Sequence, residues 1–130
     1  MTAAFKKIFP KRSTKDAMDL KVITDADTYT HIALSGKLDI VGVGEIEDQF
    51  IAHTAGRKKN ALVDISGLTH TGSMGLRLFL RASRSLSEEK KSLILLNPQP
   101  MVNDVLEESG IRRVIDVEHD AETALSKARA

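Results

Sequence analysis

The sequence predicts an α/β fold, a single domain whose mixed sheet of about five strands has about four helices packed against it. Three observations lead to this fold class. Two strand-like segments near the start are separated by a short polar turn, and short apolar runs then alternate with amphipathic helical segments. The length of 130 residues suits one domain with one core and is too small for two.

The first two strands are predicted as an antiparallel hairpin. Residues 20–23 and 29–34 are rich in β-branched and apolar side chains, and Asp25-Ala26-Asp27 lies between them. Gly36 and Asp39 then mark a loop. The hairpin places an antiparallel pair at the beginning of a sheet that later becomes parallel.

Four segments place apolar residues at helical spacing. These stripes are Val43, Ile46, Phe50 and Ile51; Leu76, Phe79, Leu80 and Leu86; Val102, Val105 and Leu106; and Ala121, Ala124, Leu125 and Ala128. The first helix is expected to start around Gly42 and Gly44 and to stop near Gly56. The third is expected to end at Gly110 in a left-handed cap with Ile111 as its apolar contact, and Asp120 is expected to cap the fourth.

Apolar runs at 61–65, 93–96 and 114–117 predict strands that alternate with these helices. The first two runs are nearly continuous, which is typical of strands covered on both faces. A loop rich in hydroxyls and glycine is expected between residues 66 and 72.

Composition and charge exclude several classes of function. The 19 basic and 18 acidic side chains give a net charge of +1, which argues against a dedicated nucleic-acid binder. The absence of cysteine excludes disulfides, thiolate metal sites and cysteine nucleophiles. No apolar run approaches the roughly 20 residues that span a bilayer, and no signal-peptide segment is evident. The sequence therefore predicts a cytoplasmic protein without stable membrane insertion.

Residues 1–18 are predicted to form a basic, flexible N-terminal arm ahead of a domain at 19–130. The arm carries Lys6, Lys7, Lys11, Arg12 and Lys15 around two phenylalanines. Such a segment is most often a solvated terminus, and the alternative is contact with an anionic membrane or an acidic partner.

Ser73 is the most informative single residue, because it lies where the 66–72 loop meets the second helix. Its hydroxyl could cap the first helical turn, and a phosphate there would meet unpaired backbone N–H groups and the positive end of the helix dipole. A plain helix cap and a phosphorylation switch are both consistent with this position. Ser66, Thr69 and Thr71 are nearby hydroxyls that could accept a phosphate instead.

Arg77, Arg81 and Arg84 follow Ser73 at spacings of four, four and three residues, which predicts a basic stripe on one face of the second helix. The stripe could receive an acidic partner surface, Arg77 could reach a phosphate on Ser73, or the stripe could be a solvated helix face.

Other chemistry has little support in the sequence. His70 and Ser73 lack a third catalytic group and a G-x-S-x-G turn. The four histidines do not form an H-E-x-x-H motif, and neither a G-x-x-x-x-G-K-[ST] loop nor a strand-following G-x-G-x-x-G is found. We expect a protein without catalytic residues, metal or cofactor.

Three segments in order resemble the STAS domain family, and within it the anti-sigma factor antagonists of bacterial partner-switching systems. The segments are residues 34–39 (LSGKLD), 64–66 (DIS) followed by 73–76 (SMGL), and 106–111 (LEESGI). The resemblance spans residues 19–128 and implies a mixed sheet with flanking helices.

The resemblance implies a function for Ser73. In this family the unmodified antagonist binds an ATP-binding anti-sigma factor that is also a serine kinase, phosphorylation of the matching serine releases it, and a serine phosphatase restores it. The implied partner-binding residues are Gly36, Lys37, Asp39, Gly72, Ser73, Met74, Gly75, Arg77, Arg81 and Arg84. A monomer or weak dimer is expected.

Two residues depart from the family pattern. Many such antagonists have an aspartate before the serine and a small residue after it, whereas this chain has Gly72 and Met74. The resemblance leaves two alternatives open, a constitutive STAS subunit of a lipid- or anion-transport complex and a stressosome-type scaffold component.

Overall fold

The computed structural model describes residues 15–130, and the first fourteen residues of the predicted arm lie outside this part of the chain. The strands are β1 (Asp19–Asp25), β2 (Tyr29–Leu38), β3 (Asn60–Thr71), β4 (Leu93–Leu96) and β5 (Asp116–Glu118). The α-helices are α1 (Ile40–His53), α2 (Ser73–Glu88), α3 (Pro100–Ser109) and α4 (Ala121–Arg129), with 3-10 turns at Ala55–Arg57 and Ile111–Arg113.

The described strands form one sheet in the order β1-β2-β3-β4-β5. β1 is antiparallel to β2, and the backbone N–H of Ala26 donates to the carbonyl oxygen of Tyr29 over 2.9 Å in the turn between them. The remaining neighbours pair in parallel. The predicted hairpin and mixed sheet are confirmed, and the carboxyl ends of β2, β3, β4 and β5 share one edge.

Helices cover both faces of the sheet. On one face, α1, α2 and α3 enclose the larger core, in which Phe50 and Phe79 are fully buried and their ring centroids lie 5.7 Å apart. On the other face, Ala124 and Ala128 of α4 pack on a smaller cluster around Leu62. The alternation of residues between the two clusters explains the continuous apolar runs at 61–65 and 93–96.

The predicted loop at 66–72 is wrong, because β3 continues through Thr71. Residues 67–71 pair with the last residues of β2, which also extends to Leu38, and two register irregularities accommodate two extra residues in β3. A Cβ at Gly67 would lie 2.8 Å from the Cβ of Ser35, so glycine here permits a close approach of two strands. Pairing with β2 satisfies the backbone hydrogen-bonding groups of residues 67–71, although the composition of this segment is typical of a loop.

The predicted loop from Gly36 to Asp39 is also wrong. Gly36 lies within β2 at φ +107°, a conformation that favours glycine, and Asp39 is the N-cap of α1. The last strand is shifted from the predicted 114–117 to Asp116–Glu118, since Val114 ends the 3-10 turn before it.

The predicted caps at Gly110 and Asp120 are confirmed. The predicted start of α1 around Gly42 and Gly44 is wrong, because α1 begins at Ile40 after the N-cap Asp39. The carboxylate of Asp120 accepts a hydrogen bond from the N–H of Thr123 over 3.0 Å, and Gly110 has φ +75° beside the buried Ile111. At α2, however, Gly72 is the N-cap and Ser73 is the first helical residue. Ser73 is therefore not the capping side chain.

Candidate functional site

The candidate site lies where two chain connections meet at the carboxyl edge of the sheet. One connection links β2 to α1 and the other links β3 to α2. The backbone N–H of Gly72 donates to the carbonyl oxygen of Leu38 over 3.2 Å, so the starts of α1 and α2 are neighbours. Parallel strands with helical connections place such residues together even though more than thirty positions separate them in sequence.

Ser73 is exposed at the start of α2. The preceding Gly72 is extended, with φ −115° and ψ −170°, and no side chain accepts a hydrogen bond from the first turn. The first turn also contains no acidic residue. The backbone N–H groups there carry the positive end of a 16-residue helix, which favours an anion at this position.

The other hydroxyls predicted as phosphate acceptors differ from Ser73 in their surroundings. Thr71 is 2% exposed, so its hydroxyl is closed off from an approaching enzyme in this fold. Thr69 is exposed but donates its hydroxyl to the carbonyl oxygen of Gly36, and Ser66 is an exposed residue within β3. Of these four hydroxyl-bearing residues, Ser73 is the one that is both exposed and located at the start of a helix.

Two glycines predicted at the partner surface are buried. A Cβ at Gly75 would lie 2.5 Å from Oγ1 of Thr71 and 2.8 Å from Cδ2 of Leu38. A Cβ at Gly36 would lie 2.3 Å from the carbonyl oxygen of Ala17. These glycines let neighbouring backbone and side chains approach, so they determine the shape of the site without forming its outer surface.

Asp39 orders the first connection. Its Oδ1 accepts a hydrogen bond from the N–H of Gly42 over 2.8 Å and so caps α1. The adjacent Lys37 donates its backbone N–H to the carbonyl oxygen of Asp16 over 2.9 Å. Residues 16–18, predicted to belong to the arm, are thus held against the domain beside the site.

Sequence reasoning placed the apolar Met74 at this site but missed two further exposed apolar residues, Ile40 and Val41. Ile40 is 75% exposed and Val41 is 41% exposed at the start of α1, and Met74 is 39% exposed at the start of α2. We call Ile40, Val41 and Met74 the apolar patch. The signal was present in the sequence, because two β-branched apolar residues directly after the Asp39 cap lie outside the buried stripe of Val43, Ile46 and Phe50.

The arginine stripe is exposed on α2, on the face that begins at Ser73, and its central member is engaged within the domain. Nη1 of Arg81 lies 2.8 Å from Oε2 of Glu47, which joins α2 to α1. Among the ion pairs between described residues, Arg77 and Arg84 take no part. Arg77 and Arg84 are therefore better placed than Arg81 to contact a partner.

Within residues 15–130, no group of three His, Asp or Glu side chains is arranged to hold a metal ion. Over the same part of the chain, no helix has both the length and the apolar character needed to cross a membrane. The site as described consists of the exposed hydroxyl of Ser73, the apolar patch, and the exposed side chains of Arg77 and Arg84.

Comparison with known proteins identifies the family. The sequence model of the STAS domain matches residues 17–124, and the chain belongs to this family. The predicted resemblance is thus confirmed. The anti-sigma-B factor antagonist of Staphylococcus epidermidis is similar, with 22% identity over 105 residues that make up 81% of this chain and 96% of that protein.

Solved structures show the same fold. An anti-sigma factor antagonist from Mycobacterium paratuberculosis has a TM-score of 0.78 and 21% identity, covering 92% of this chain and 100% of that one. The antagonist SpoIIAA in its unphosphorylated form has a TM-score of 0.66 and 25% identity, covering 87% and 96% of the two chains. The phosphorylated form of the Bacillus SpoIIAA has a TM-score of 0.61 and 26% identity, covering 87% and 100%.

Proposed function

We propose that this chain is a non-enzymatic anti-sigma factor antagonist that acts by partner switching in the cytoplasm. In its unmodified form it binds an anti-sigma factor that is also an ATP-dependent serine kinase. Phosphorylation of Ser73 releases it, and a serine phosphatase restores the binding form. The antagonist names of its relatives and the existence of SpoIIAA in two phosphorylation states support the proposal.

The observation that carries the proposal is the position of Ser73 between a helix start and the apolar patch. The hydroxyl is exposed as the first residue of α2, next to Met74 and across the Gly72–Leu38 hydrogen bond from Ile40. A small neutral hydroxyl at this point is compatible with a partner that packs on apolar side chains. The same position becomes unfavourable for that partner once it carries a phosphate.

The fold itself accepts the phosphate. A phosphate adds about −1.5 to −2 charges and three acceptor oxygens. The first turn of α2 presents backbone N–H groups that no side chain caps, and Gly72 supplies no carboxylate to repel the new charge. We therefore expect phosphorylated protein to keep its fold and stability.

The interface with the partner, in contrast, is destabilised by a phosphate on Ser73. A partner packed over Met74 and Ile40 excludes water from Ser73, and a dianion placed in such an interface loses its hydration at a large cost in free energy. Phosphorylation acts as a release signal because it changes the energy of the complex far more than that of the free domain.

Binding experiments with matched variants test the proposal. Wild type, Ser73→Ala, Ser73→Asp and Ser85→Asp serve as parallel baits for capture from the host lysate, followed by affinity measurement with the purified partner. Ser85 is an exposed serine on the same helix and controls for added charge. We expect wild type, Ser73→Ala and Ser85→Asp to bind an ATP-dependent kinase, and Ser73→Asp to bind it at least tenfold more weakly.

Phosphate mapping gives a second test. Incubation with the captured kinase and ATP is expected to place one phosphate on wild-type protein, located at Ser73 by mass spectrometry, and none on Ser73→Ala. Equal binding of Ser73→Asp and wild type to every captured protein, or phosphate on Ser66 or Thr69 instead, would exclude Ser73 as the switch.

A further inference from the structure

The proposed function assigns no role to the exposed arginines of α2. Arg77, Arg81 and Arg84 are all exposed on the face that begins at Ser73. Nη1 of Arg81 is held 2.8 Å from Oε2 of Glu47, whereas no ion pair between described residues includes Arg77. The guanidinium of Arg77 is therefore available to an acceptor that the unmodified domain does not contain.

Helix geometry places Arg77 beside Ser73. Ser73 is the first residue of α2, and Arg77 follows it by four residues. Residues four apart share one helix face, with Cβ atoms about 5–6 Å apart, and helical side chains lean towards the N-terminus. The long side chain of Arg77 therefore extends towards Ser73. An anion followed four positions later by a cation is also the favourable orientation of an ion pair in a helix.

The other two arginines lie farther from Ser73. A helix rises about 1.5 Å per residue, so Arg81 lies about 12 Å and Arg84 roughly 16 Å from Ser73 along the axis. Arg81 is also held by Glu47 on α1. The distance to Arg84 exceeds the Debye length of about 8 Å at physiological ionic strength. Arg77 is therefore the member of the group that a phosphate on Ser73 can reach.

The start of α2 has room for a phosphate. Among the described residues outside the immediate chain neighbours, the atom within 4 Å of a Cβ at Gly72 would be Nε2 of His70, at 3.6 Å. The first turn contains no acidic residue, and no side chain caps it. A guanidinium forms paired, charge-assisted hydrogen bonds with phosphate oxygens. Backbone N–H groups and Arg77 can thus donate to the same phosphate.

We infer that Arg77 binds the phosphate of phosphorylated Ser73 and so holds the domain in its released state. The inference rests on the proposed function for the phosphate itself and adds the group that receives it. In the unmodified protein the guanidinium of Arg77 is available to an acidic group of the partner. Phosphorylation then withdraws this contact from the interface in addition to placing a charge there.

Titration of the phosphate by phosphorus NMR tests the pair in the full chain. Phosphoserine is incorporated at residue 73 during synthesis, so the experiment needs neither kinase nor partner. A cation beside the phosphate favours its dianion and lowers its second pKa. Arg77→Gln is expected to raise this pKa by about 0.4 relative to wild type. Arg77→Lys, which keeps the charge without the planar fork, is expected to give a value between the two.

Arg84→Gln is the matched control, because it removes the same charge from the same helix at a screened distance. We expect it to leave the phosphate pKa as in wild type. The inference is overturned if Arg77→Gln leaves the phosphate pKa unchanged, or changes it no more than Arg84→Gln does. Either result would leave Ser73 in place as the proposed switch. Failure of every captured kinase to phosphorylate Ser73 would instead remove the proposed function, and the titration of incorporated phosphoserine does not depend on that outcome.

Discussion

Gly75 packs its backbone directly against the side chain of Thr71, since a Cβ at Gly75 would lie 2.5 Å from Oγ1 of that threonine. Cδ2 of Leu38 is also close, at 2.8 Å from the same Cβ position. The first turn of α2 can therefore lie close to the ends of β2 and β3, and this close packing sets where Ser73 is presented.

Gly75→Ala should destabilise the domain for this reason. The added methyl group overlaps a buried hydroxyl and a buried leucine, and overpacking of this kind costs about 1–3 kcal/mol. Gly44→Ala is the matched control, because a Cβ at Gly44 meets nothing within 4 Å and replaces glycine within a helix. We expect Gly44→Ala to stabilise by about 0.5–1 kcal/mol. Urea unfolding of the two variants measures both changes in the free energy of unfolding. Stabilisation by Gly75→Ala would contradict the close packing of Gly75 against Thr71 and Leu38.

The apolar patch should contribute to partner binding and little to stability. Ile40→Ser with Met74→Ser is expected to weaken binding of the captured partner by about 2 kcal/mol, roughly 30-fold in Kd. Exposed substitutions usually change unfolding free energy by less than about 0.5 kcal/mol. Val114→Ser, which alters an apolar residue of similar exposure away from the site, should bind as wild type. Calorimetric titration gives the affinities, and unchanged binding by the double variant would remove the patch from the interface.

Asp39 should stabilise the domain as the N-cap of α1. Asp39→Ala removes the acceptor of the Gly42 N–H and is expected to cost about 1 kcal/mol. Asp39→Asn keeps an acceptor oxygen and should retain most of that stability. A thermal scan distinguishes them, since 1 kcal/mol corresponds to a fall of about 4 °C in Tm for a domain of this size. Equal losses in both variants would assign the effect to the charge of Asp39 and not to the cap.

His31 should make stability depend on pH. Burial lowers the pKa of His31 below its usual 6.5, and the nearby carboxylate of Asp64 opposes this shift without cancelling it. Its Nε2 is buried without a hydrogen-bond partner. The unfolded state therefore binds a proton more readily than the folded state, so stability is complete above about pH 6.5 and falls as the pH drops towards the folded pKa.

Unfolding midpoints at pH 7.5 and 5.5 test this linkage. Wild type should lose stability at the lower pH, and His31→Gln should lose less, because glutamine does not titrate. His119→Gln is the control for removal of an exposed histidine and should keep the wild-type difference. The same pH dependence in His31→Gln and wild type would assign the effect to other groups.

The elements that the sequence predicted are those whose signal is local. The apolar stripe of Val43, Ile46 and Phe50 shows its helical period within a few residues, and the caps at Asp120 and Gly110 depend on the residue itself and its immediate neighbours. The hairpin and the parallel order of the later strands follow from the alternation of elements. Ser73 was located at the start of α2 by the same local reasoning, one residue after the actual cap.

The predictions failed where distant residues decide the structure. Gly67, Thr69 and Thr71 have the composition of a loop, yet pairing with β2 extends the strand through them. The end of β2, more than thirty residues away, satisfies their backbone hydrogen-bonding groups. The sequence of residues 66–71 alone does not indicate that this pairing strand is available.

Sequence alone determined the α/β class, the family resemblance and the position of Ser73 at a helix start. Periodicity, caps and short motifs depend only on residues that are close together in the sequence. Only the tertiary structure decided that the starts of α1 and α2 meet across the Gly72–Leu38 hydrogen bond, that Thr71 and Gly75 are buried, and that residues 16–18 are held against the site. These relationships arise when parallel strands bring the starts of two helices to one edge of a sheet. They depend on register and packing between segments far apart in the chain.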